Sequence, residues 1–240
     1  MKLSIIFPVL NSHEFVRRQI KYLSKLNLED VEVLIMDDGS NPPLMTRSKA
    51  VKIIPTNDYR QWTQEIARNS GAKIAKGKNL ILMDIDHILT QDAIDFCKDF
   101  DGDKVNFVRR FGILDENGNV DCTKETIKKA GVRRKWIPRQ GLRYVPGHRN
   151  NFCMRKQLFW RLGGYKEHLA GKAYPYGGGP DAKWWAKWRL LRRNNRVVDC
   201  DYNPLVYFVP NGKYCGNMDA DKLNLFHRLS RKSGNFKSYV

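Results

Sequence analysis

The first part of the chain alternates apolar runs with amphipathic stretches, which is the pattern of buried strands joined by helices. Residues 2–10 alternate and then become apolar, and residues 31–36 form a second apolar run. Between these runs, apolar residues recur at helical spacing in a stripe formed by Val16, Ile20 and Leu23. A strand, a helix and a strand of these lengths predict a βαβ unit and hence a parallel sheet.

Two further strands and a helix are predicted before residue 90. Residues 51–54 predict a short third strand, and residues 61–76 predict a helix whose small residues allow close packing on the sheet. Gly77 suits a left-handed cap at the end of this helix. Four consecutive apolar residues, 80–83, predict a strand that is buried on both faces.

The second half combines strand and helix signals with strong turns. Residues 115–119 read Asp-Glu-Asn-Gly-Asn, which is typical of a hairpin, so we expect an antiparallel or mixed order from there. An apolar stripe marks a helix that begins at Asp181 and contains Trp184, Trp188 and Leu191. The other predicted elements are a helix over 91–100, a strand or helix through 154–162, and strands over 105–108, 197–199 and 205–209.

Length and composition are compatible with one domain. A chain of 240 residues with 42% hydrophobic residues can bury one large core. We predict the α/β class, with a mixed but mostly parallel sheet flanked by helices, in a single domain over residues 1–210. Residues 211–240 are predicted to be a basic C-terminal extension.

Cysteine usage and hydropathy argue against several classes of protein. The five cysteines are odd in number and lack any Cys-x-x-Cys pair, so neither a disulfide framework nor a zinc site is indicated. No apolar run approaches the roughly 20 residues that cross a bilayer, and no signal-like segment precedes the first strand. We expect a soluble protein of the cytoplasm, or of the host cytoplasm for a viral protein.

The charge is the unusual feature of the composition. Lysine and arginine number 43 against 25 acids, a formal net charge of +18, which exceeds what solubility needs and predicts a polyanionic partner. In residues 124–143, Trp136 lies among the cations and Tyr144 follows, so aromatic rings are available to stack on bases or sugars. The alternative is a merely solvated helix and loop. The cations of this basic segment are Lys124, Lys128, Lys129, Arg133, Arg134, Lys135, Arg139 and Arg143.

Carboxylates follow two of the predicted strands. The sequence Asp84-Ile85-Asp86-His87 follows the run 80–83, and Asp37-Asp38 follows the run 31–36. Open α/β sheets bind ligands at the carboxyl ends of their strands. Two neighbouring carboxylates repel each other, and a divalent cation that also binds phosphate oxygens would remove the repulsion. The pattern indicates a metal-bridged diphosphate, whereas the alternative is a solvated exit from a strand.

Asp181 is a third carboxylate with two interpretations. It lies at the N-terminus of a predicted helix, where a carboxylate is a good cap. The preceding residues 174–180 contain three glycines and two prolines, which shape a loop beyond what a cap requires. Both a capping role and a functional role stay open on the residues alone.

Four stretches together resemble the GT-A glycosyltransferases, specifically the large inverting family that uses nucleotide-sugar donors. Residues 4–11 are similar to the family's opening strand and donor loop. Residues 33–40 resemble the block whose second Asp contacts the nucleotide base. Residues 67–86 resemble the run that ends in the metal-binding acids. Residues 163–181 resemble the acceptor-side segment that supplies the catalytic base.

The resemblance implies a GT-A, Rossmann-like fold with a donor-binding half over residues 1–100 and an acceptor-binding half over residues 101–210. It implies an inverting glycosyltransferase that uses Mn²⁺ or Mg²⁺ and a nucleotide sugar, with a UDP-sugar favoured. The implied catalytic base is Asp181. The implied donor contacts are Pro8, Leu10, Asn11, Asp38, Arg68 and Asp84, and the implied metal ligands are Asp86, Asp84 and His87.

Some assigned residues have a second interpretation. Arg68 could instead form a salt bridge on the surface of its helix. The apolar stripe assigns Trp184 to the core, which leaves Trp185 to stack on a sugar or base. The predicted acceptor contacts are His148, Trp185, Arg133, Arg134 and Lys135.

The chain departs from the family pattern at three places. His87 replaces a usual acid, where it either adds a nitrogen ligand that favours Mn²⁺ or caps the next helix. Pro180 replaces the first residue of the usual Glu-Asp pair, so Asp181 is the base candidate of that block. Tyr207 and Phe208 occupy the strand where related enzymes often have a further metal-binding His.

Three hypotheses about the polyanionic partner follow from the charge. The favoured acceptor is nucleic acid, such as a hydroxymethylated base in modified DNA, which would be flipped out or presented single-stranded. The rival is an envelope polysaccharide or lipid-linked glycan at the cytoplasmic membrane face, where basic residues contact anionic lipid. The third hypothesis is a catalytically inactive module that binds polyanions.

Overall fold

The computed structural model describes residues 1–58, 60, 63–123, 125–126, 150–170, 180–202 and 204–208, without the side chains of residues 180, 181 and 208. Most of the basic segment lies outside these residues, including Arg133, Arg134 and Lys135. His148, the glycine-rich loop before Pro180 and the C-terminal extension also lie outside them.

The described residues form eleven strands and five α-helices. The strands are β1 (Leu3–Val9), β2 (Val31–Asp37), β3 (Lys52–Pro55), β4 (Asn79–Leu82), β5 (His87–Leu89), β6 (Lys104–Asn106), β7 (Val108–Phe111), β8 (Ile113–Leu114), β9 (Val120–Asp121), β10 (Phe152–Arg155) and β11 (Leu205–Phe208). The helices are α1 (His13–Leu23), α2 (Gln64–Ile74), α3 (Gln91–Asp99), α4 (Lys156–Arg161) and α5 (Pro180–Arg193), and Glu167–Leu169 form a 3₁₀ turn.

The main sheet has six strands in the order β3-β2-β1-β4-β10-β6. β1 pairs in parallel with β2 and β4, and β2 pairs in parallel with β3. β10 runs antiparallel to both β4 and β6, so five strands share one direction and one opposes them. The predicted mixed, mostly parallel sheet with flanking helices is therefore confirmed.

Alternation along β1 divides the core into two layers. Leu3, Ile5 and Phe7 face a cluster that contains buried residues of α1 and α3. Ile6 faces the opposite cluster, which contains buried residues of α2, α4 and α5. Because successive side chains of a strand point to opposite faces, β1 can be buried throughout only with helices on both sides of the sheet.

A second, smaller sheet lies beside the carboxyl end of β4. It has the order β5-β11-β7, with β11 antiparallel to β5 and parallel to β7. The predicted turn at residues 115–119 joins β8 and β9 in an antiparallel hairpin, as expected, and Gly118 adopts a φ of 73°.

The predicted strand over residues 105–108 is two strands in the structure. β6 ends at Asn106 in the main sheet, and β7 begins at Val108 in the smaller sheet. Phe107 lies between them and is buried. The chain therefore changes sheets at a core residue, and the apolar residues Val105, Phe107 and Val108 do not show where one strand ends and the next begins.

Gly77 does not form the left-handed cap that the sequence predicted. The helix ends at Ile74, its C-cap is Ala75, and Gly77 has no positive φ. A Cβ atom at position 77 would lie 2.4 Å from the backbone nitrogen of Ser4. The glycine is needed because two backbone segments approach each other closely there.

Candidate active site

The ends of three parallel strands bring the first group of predicted residues together. β1 lies between β2 and β4, so their carboxyl ends meet at one edge of the main sheet. The Asp38 amide donates to the carbonyl of Val9 over 2.8 Å, and the Met83 amide donates to the carbonyl of Ile6 over 3.1 Å. Asp38 and Asp84 therefore leave the sheet on either side of the β1 end.

A small cleft beside β1 contains the predicted nucleotide-binding residues. Its volume is about 120 Å³, and it is lined by Pro8, Val9, Leu10, Asp38 and Gln64. Two of the predicted donor contacts, Pro8 and Leu10, thus line the same cleft as Asp38. The carboxyl end of β1 and the first turn of α2 form its walls.

The Asp38 carboxylate is buried, with 4% of its surface exposed. The Thr63 hydroxyl donates to its Oδ1 over 2.7 Å, and the Thr56 hydroxyl does so over 3.4 Å. Burial raises the pKa of Asp38 to about 7, the nearby charge of Asp58 adds to the rise, and the hydroxyl hydrogen bonds oppose it. Asp38 is thus a carboxyl group that titrates near neutral pH.

Asn11 and Asp37 shape the loops that border this cleft. Asn11 adopts a positive φ of 50°, and its Oδ1 accepts from the Asn41 amide over 2.8 Å. The Asp37 carboxylate accepts from the amides of Ser40 and Leu44 over 2.9 and 2.8 Å. Asp37 therefore stabilises the loop after β2, while its neighbour Asp38 is left to line the cleft.

The second group of predicted residues surrounds Asp84. Ligand atoms of Asp84, Asp86 and His87 all lie within 4.8 Å of one another. The Asp84 amide donates to Oδ1 of Asn151 over 2.8 Å, which ties the loop after β4 to β10. Carboxylate oxygens are suitable ligands for Mg²⁺ or Mn²⁺, and an imidazole nitrogen would favour Mn²⁺, so the residues fit a divalent cation.

Arg68 forms a salt bridge, as its second interpretation predicted, but its side chain is buried and does not lie on the surface of the helix. Its side chain has no exposed surface, and its Nη2 donates to Oδ1 of Asp84. The guanidinium also lies over the ring of Tyr165, 5.6 Å from the ring centroid. Arg68 therefore supports one carboxylate of the acid pair from within the core.

His87 contacts both an acid and an arginine. Its Nδ1 lies 2.6 Å from Oδ1 of Asp86, and its Nε2 lies 3.4 Å from Nη1 of Arg109. Because a guanidinium can only donate, Nε2 accepts, which leaves Nδ1 to carry the proton and to donate to Asp86. A cation that used a ring nitrogen would have to displace one of these partners.

The alternative role of His87 as a helix cap is wrong. His87 lies in β5, and its carbonyl accepts from Nε2 of Gln19 over 2.9 Å. The residue that caps α3 is Thr90, whose hydroxyl accepts from the Ala93 amide. His87 instead fixes the orientation of Asp86.

Sequence reasoning did not identify Arg109. This residue lies in β7, and the strand pattern gave no reason to place it near Asp86. A weak signal was available, since two arginines interrupt the apolar residues Phe107, Val108 and Phe111. Burial lowers the pKa of Arg109, while the charges of Asp86 and Asp84 oppose that change.

The acceptor-side block is tied to the donor half by one asparagine. Nδ2 of Asn69 donates to the Tyr165 carbonyl over 2.9 Å and to Oε1 of Glu167 over 2.8 Å, and its Oδ1 accepts from the Tyr165 amide. Gly163 and Gly164 turn the chain into this contact with φ values of 81° and 55°. The loop that follows α4 is thereby held against α2, next to Arg68.

The helix predicted at Asp181 is confirmed, since α5 spans Pro180–Arg193 with Trp184 and Trp188 buried. Trp184 packs on Tyr165 with ring centroids 5.4 Å apart. The Asp181 side chain lies outside the described part of the chain.

Trp185 is half-buried and covers a lysine. Its ring centroid lies 4.3 Å from Nζ of Lys104, which is itself 1% exposed. Lys104 also pairs with Asp199 over 3.1 Å. The structure thus places Trp185 at the packing interface of α5 with β6, and its predicted contact with an acceptor stays a prediction.

Comparison with known proteins agrees with this geometry. Residues 4–119 match the family described as glycosyl transferase family 2. These residues carry a glycosyl transferase family 2 domain. The matched stretch contains the Asp38 cleft, the acid pair and Arg109, and the resemblance that the sequence motifs indicated is confirmed.

Individual relatives of the family 2 domain are distant in sequence. The chain is 22% identical over 100 residues to glycosyltransferase GlyG of Streptococcus pneumoniae, a match that covers 39% of this chain and 33% of GlyG. This chain thus spans about a third of that relative's length.

Two solved structures share the GT-A fold. The mannosyltransferase PcManGT of Pyrobaculum calidifontis, in complex with GDP-Man and Mn²⁺, has a TM-score of 0.54 at 14% identity, covering 99% of this chain and 66% of that one. S. aureus TarS 1–349 in complex with UDP has a TM-score of 0.52 at 19% identity, covering 88% of this chain and 61% of that one.

Among the described residues, no helix has the length and apolar character needed to cross a membrane.

Proposed function

We propose that this protein is a metal-dependent inverting glycosyltransferase that moves a sugar from a nucleotide-diphosphate sugar to an acceptor hydroxyl. The observation that carries the proposal is the placement of the Asp38 cleft and the Asp84–Asp86 pair at one edge of the main sheet. The nucleoside of the donor binds in the Asp38 cleft, and its diphosphate reaches the Asp84–Asp86 pair. Residues 1–210 act as one catalytic domain, and residues 211–240 are a basic extension.

Donor binding uses the carboxyl end of β1 and the loop that follows it. Pro8, Leu10 and Asn11 border the nucleoside, and Asp38 accepts a hydrogen bond from the base. PcManGT was solved with GDP-Man and Mn²⁺, and TarS with UDP. These complexes support a nucleotide-sugar donor, and we propose a UDP-sugar with Mn²⁺ or Mg²⁺.

The acid pair is the proposed cation site. Asp86 and Asp84 would hold the ion, with His87 as a further candidate ligand. A bound divalent cation supplies Lewis-acid stabilisation of the departing nucleoside diphosphate. His87 orients Asp86 through its 2.6 Å hydrogen bond, and Arg68 forms a salt bridge with Asp84 from inside the core.

Asp181 is the proposed catalytic base. It would accept the proton of the acceptor hydroxyl while that oxygen attacks the anomeric carbon from the face opposite the leaving group. A chain of contacts supports its position, because Trp184 packs on Tyr165, and Tyr165 lies over Arg68, the partner of Asp84. The first turn of α5 is therefore linked to the acid pair.

The proposed acceptor is DNA that carries a hydroxymethylated base. The net charge of +18 and the cations of the basic segment support a polyanionic acceptor. His148, Trp185, Arg133, Arg134 and Lys135 are proposed to contact it. The same charge would attract anionic lipid, so a lipid-linked glycan is the competing outcome of the test.

The test is release of nucleoside diphosphate from a panel of nucleotide sugars in the presence of Mn²⁺. Separate reactions contain no acceptor, unmodified DNA, hydroxymethylated DNA, or vesicles with a lipid-linked glycan. Stimulation by hydroxymethylated DNA alone is the expected result. Stimulation only by the vesicles would identify the lipid-linked glycan as the acceptor in place of DNA. If no nucleoside diphosphate is released from any donor, the inactive polyanion-binding module is the remaining hypothesis.

Replacing Asp181 by Asn should abolish transfer while donor binding stays within about twofold, because the amide cannot accept the proton. We expect a loss of at least about 100-fold in turnover, measured as sugar incorporated into the acceptor. Asp92→Asn is the matched control, since Asp92 is an exposed carboxylate in the first turn of α3. Turnover retained by Asp181→Asn would remove this residue as the base.

A further inference from the structure

Arg109 reaches the acid pair from a strand that is remote in sequence. In the smaller sheet, Val206 lies opposite both Leu89 and Arg109. His87 is two residues from Leu89, so His87 and Arg109 extend from the same face of this sheet. The contact of 3.4 Å between Nη1 of Arg109 and Nε2 of His87 agrees with this register.

The two arginines beside the acid pair differ in access. Arg68 is completely buried beneath Asp84, so its guanidinium is enclosed by protein. Arg109 is only partly buried, and its guanidinium contacts Nε2 of His87, whose Nδ1 contacts Asp86. Of these two cations, Arg109 is the one placed to meet a ligand that arrives from solvent.

The charges around the acid pair indicate which kind of ligand would bind beside Arg109. Asp84 and Asp86 supply two negative charges beside the cation site, and Arg68 and Arg109 supply two positive charges. A divalent cation alone would therefore add uncompensated positive charge next to a guanidinium. A diphosphate that arrives with the cation restores the balance, and a guanidinium can bind phosphate oxygens through two parallel hydrogen bonds.

We propose that Arg109 binds a phosphate of the donor's diphosphate beside the cation held by Asp84 and Asp86. This inference rests on the proposed function and adds a binding residue from outside the four motif stretches. In the donor complex, Arg109 then contacts both the ring of His87 and a phosphate oxygen. Asp86, His87 and Arg109 form one connected group that orients both the cation and the diphosphate.

The test compares the binding of UDP, GDP and uridine by calorimetry with Mn²⁺ present, so its readout is independent of turnover. Arg109→Gln should weaken binding of the preferred diphosphate about 10- to 100-fold, the range of a lost charged hydrogen bond, and leave uridine binding unchanged. Arg110→Gln is the matched control, since Arg110 is the next residue of β7 and extends from the other face. It should bind the diphosphate like the wild type.

Equal diphosphate binding by Arg109→Gln and wild type would overturn the inference and leave the proposed function intact. Absence of any diphosphate binding by the wild-type protein would instead overturn the proposed function together with it. Circular dichroism checks the fold of each variant. If Arg109→Gln does not fold, Arg109→Lys replaces it, because it keeps the charge and loses the paired hydrogen bonds. It should weaken binding about threefold to tenfold, and wild-type affinity would overturn the inference.

Discussion

At the scale of single residues, Asp38 is a buried acid whose hydrogen bonds lower its pKa by less than burial raises it. Its pKa is raised to about 7, although Thr63 and Thr56 both donate to it. In the folded protein Asp38 therefore keeps its proton at pH values where the unfolded chain has lost it. The resulting stability is present at low pH and decreases as the pH rises toward about 7.

Asp38→Asn should remove this pH dependence, because an amide does not titrate but can still accept from both threonine hydroxyls. Relative to wild type, we expect the variant's free energy of unfolding to rise between pH 4 and pH 8 by roughly 2–4 kcal/mol. Denaturant unfolding of both proteins at several pH values measures this difference. Parallel curves for the two proteins over that range would contradict the raised pKa.

At the scale of elements, α5 is fastened to the main sheet by a buried charge. Lys104 of β6 lies within 4.3 and 4.5 Å of the ring centroids of Trp185 and Trp188 and pairs with Asp199. Asp199 also accepts from Nε1 of Trp188 and from Arg192. Burial lowers the pKa of Lys104 to about 8, although the charge of Asp199 opposes the shift. The helix that carries Asp181 is thereby held to the edge strand.

Asp199→Asn should destabilise the fold by about 2–4 kcal/mol at pH 7, because it leaves a buried ammonium without its counter-charge. A lowered lysine pKa means that the unfolded chain binds more protons, so stability increases as the pH rises through that interval. Asp199 raises the pKa of Lys104, so this pKa should be lower still in the variant, which regains more stability than wild type as the lysine loses its proton. The difference from wild type should therefore be smaller at pH 10 than at pH 7, as measured by urea unfolding.

Asp103→Asn is the control for this experiment. Asp103 pairs with the half-exposed Arg155 over 2.9 Å, and arginine keeps its proton throughout this range. The Asp103→Asn variant should lose less free energy of unfolding than Asp199→Asn, and this loss should not depend on pH. An Asp199→Asn defect that is equally large at pH 7 and pH 10 would argue against a charged Lys104 as the cause.

At the scale of the whole molecule, the net charge of +18 predicts strongly salt-dependent binding to polyanions. Replacing Arg133, Arg134 and Lys135 together by Ala should reduce the slope of log affinity against log salt by about 2–3 for double-stranded DNA, since each phosphate contact contributes about 0.9. Binding isotherms at several salt concentrations measure the slope.

A matched variant carries the same charge change in the donor half. Lys49, Lys73 and Lys78 are exposed cations there, and their replacement by Ala should leave the slope nearly unchanged. Equal slopes for both triple variants would mean that charge acts through the whole molecule and that the basic segment has no special role.

The fold class could be predicted because its signals are local. Apolar runs marked β1, β2 and β4, and helical spacing marked α1 and α5. Parallel strands share a carboxyl edge, so the same runs also indicated that Asp38 and Asp84 would approach each other. Local signals fail at Phe107, where one predicted strand is divided between two sheets.

Periodicity along the chain was enough to identify the apolar positions of the core and the acids that follow the strands, because an apolar repeat records which face of an element is buried. The buried charges and the support of the site came only from the folded structure, because these contacts join residues far apart in sequence. Arg109 meets His87 through the register of three strands, and Asn69 fastens the loop at Tyr165 to α2. Gly77 is required by the backbone of Ser4, a neighbour that no local pattern could reveal.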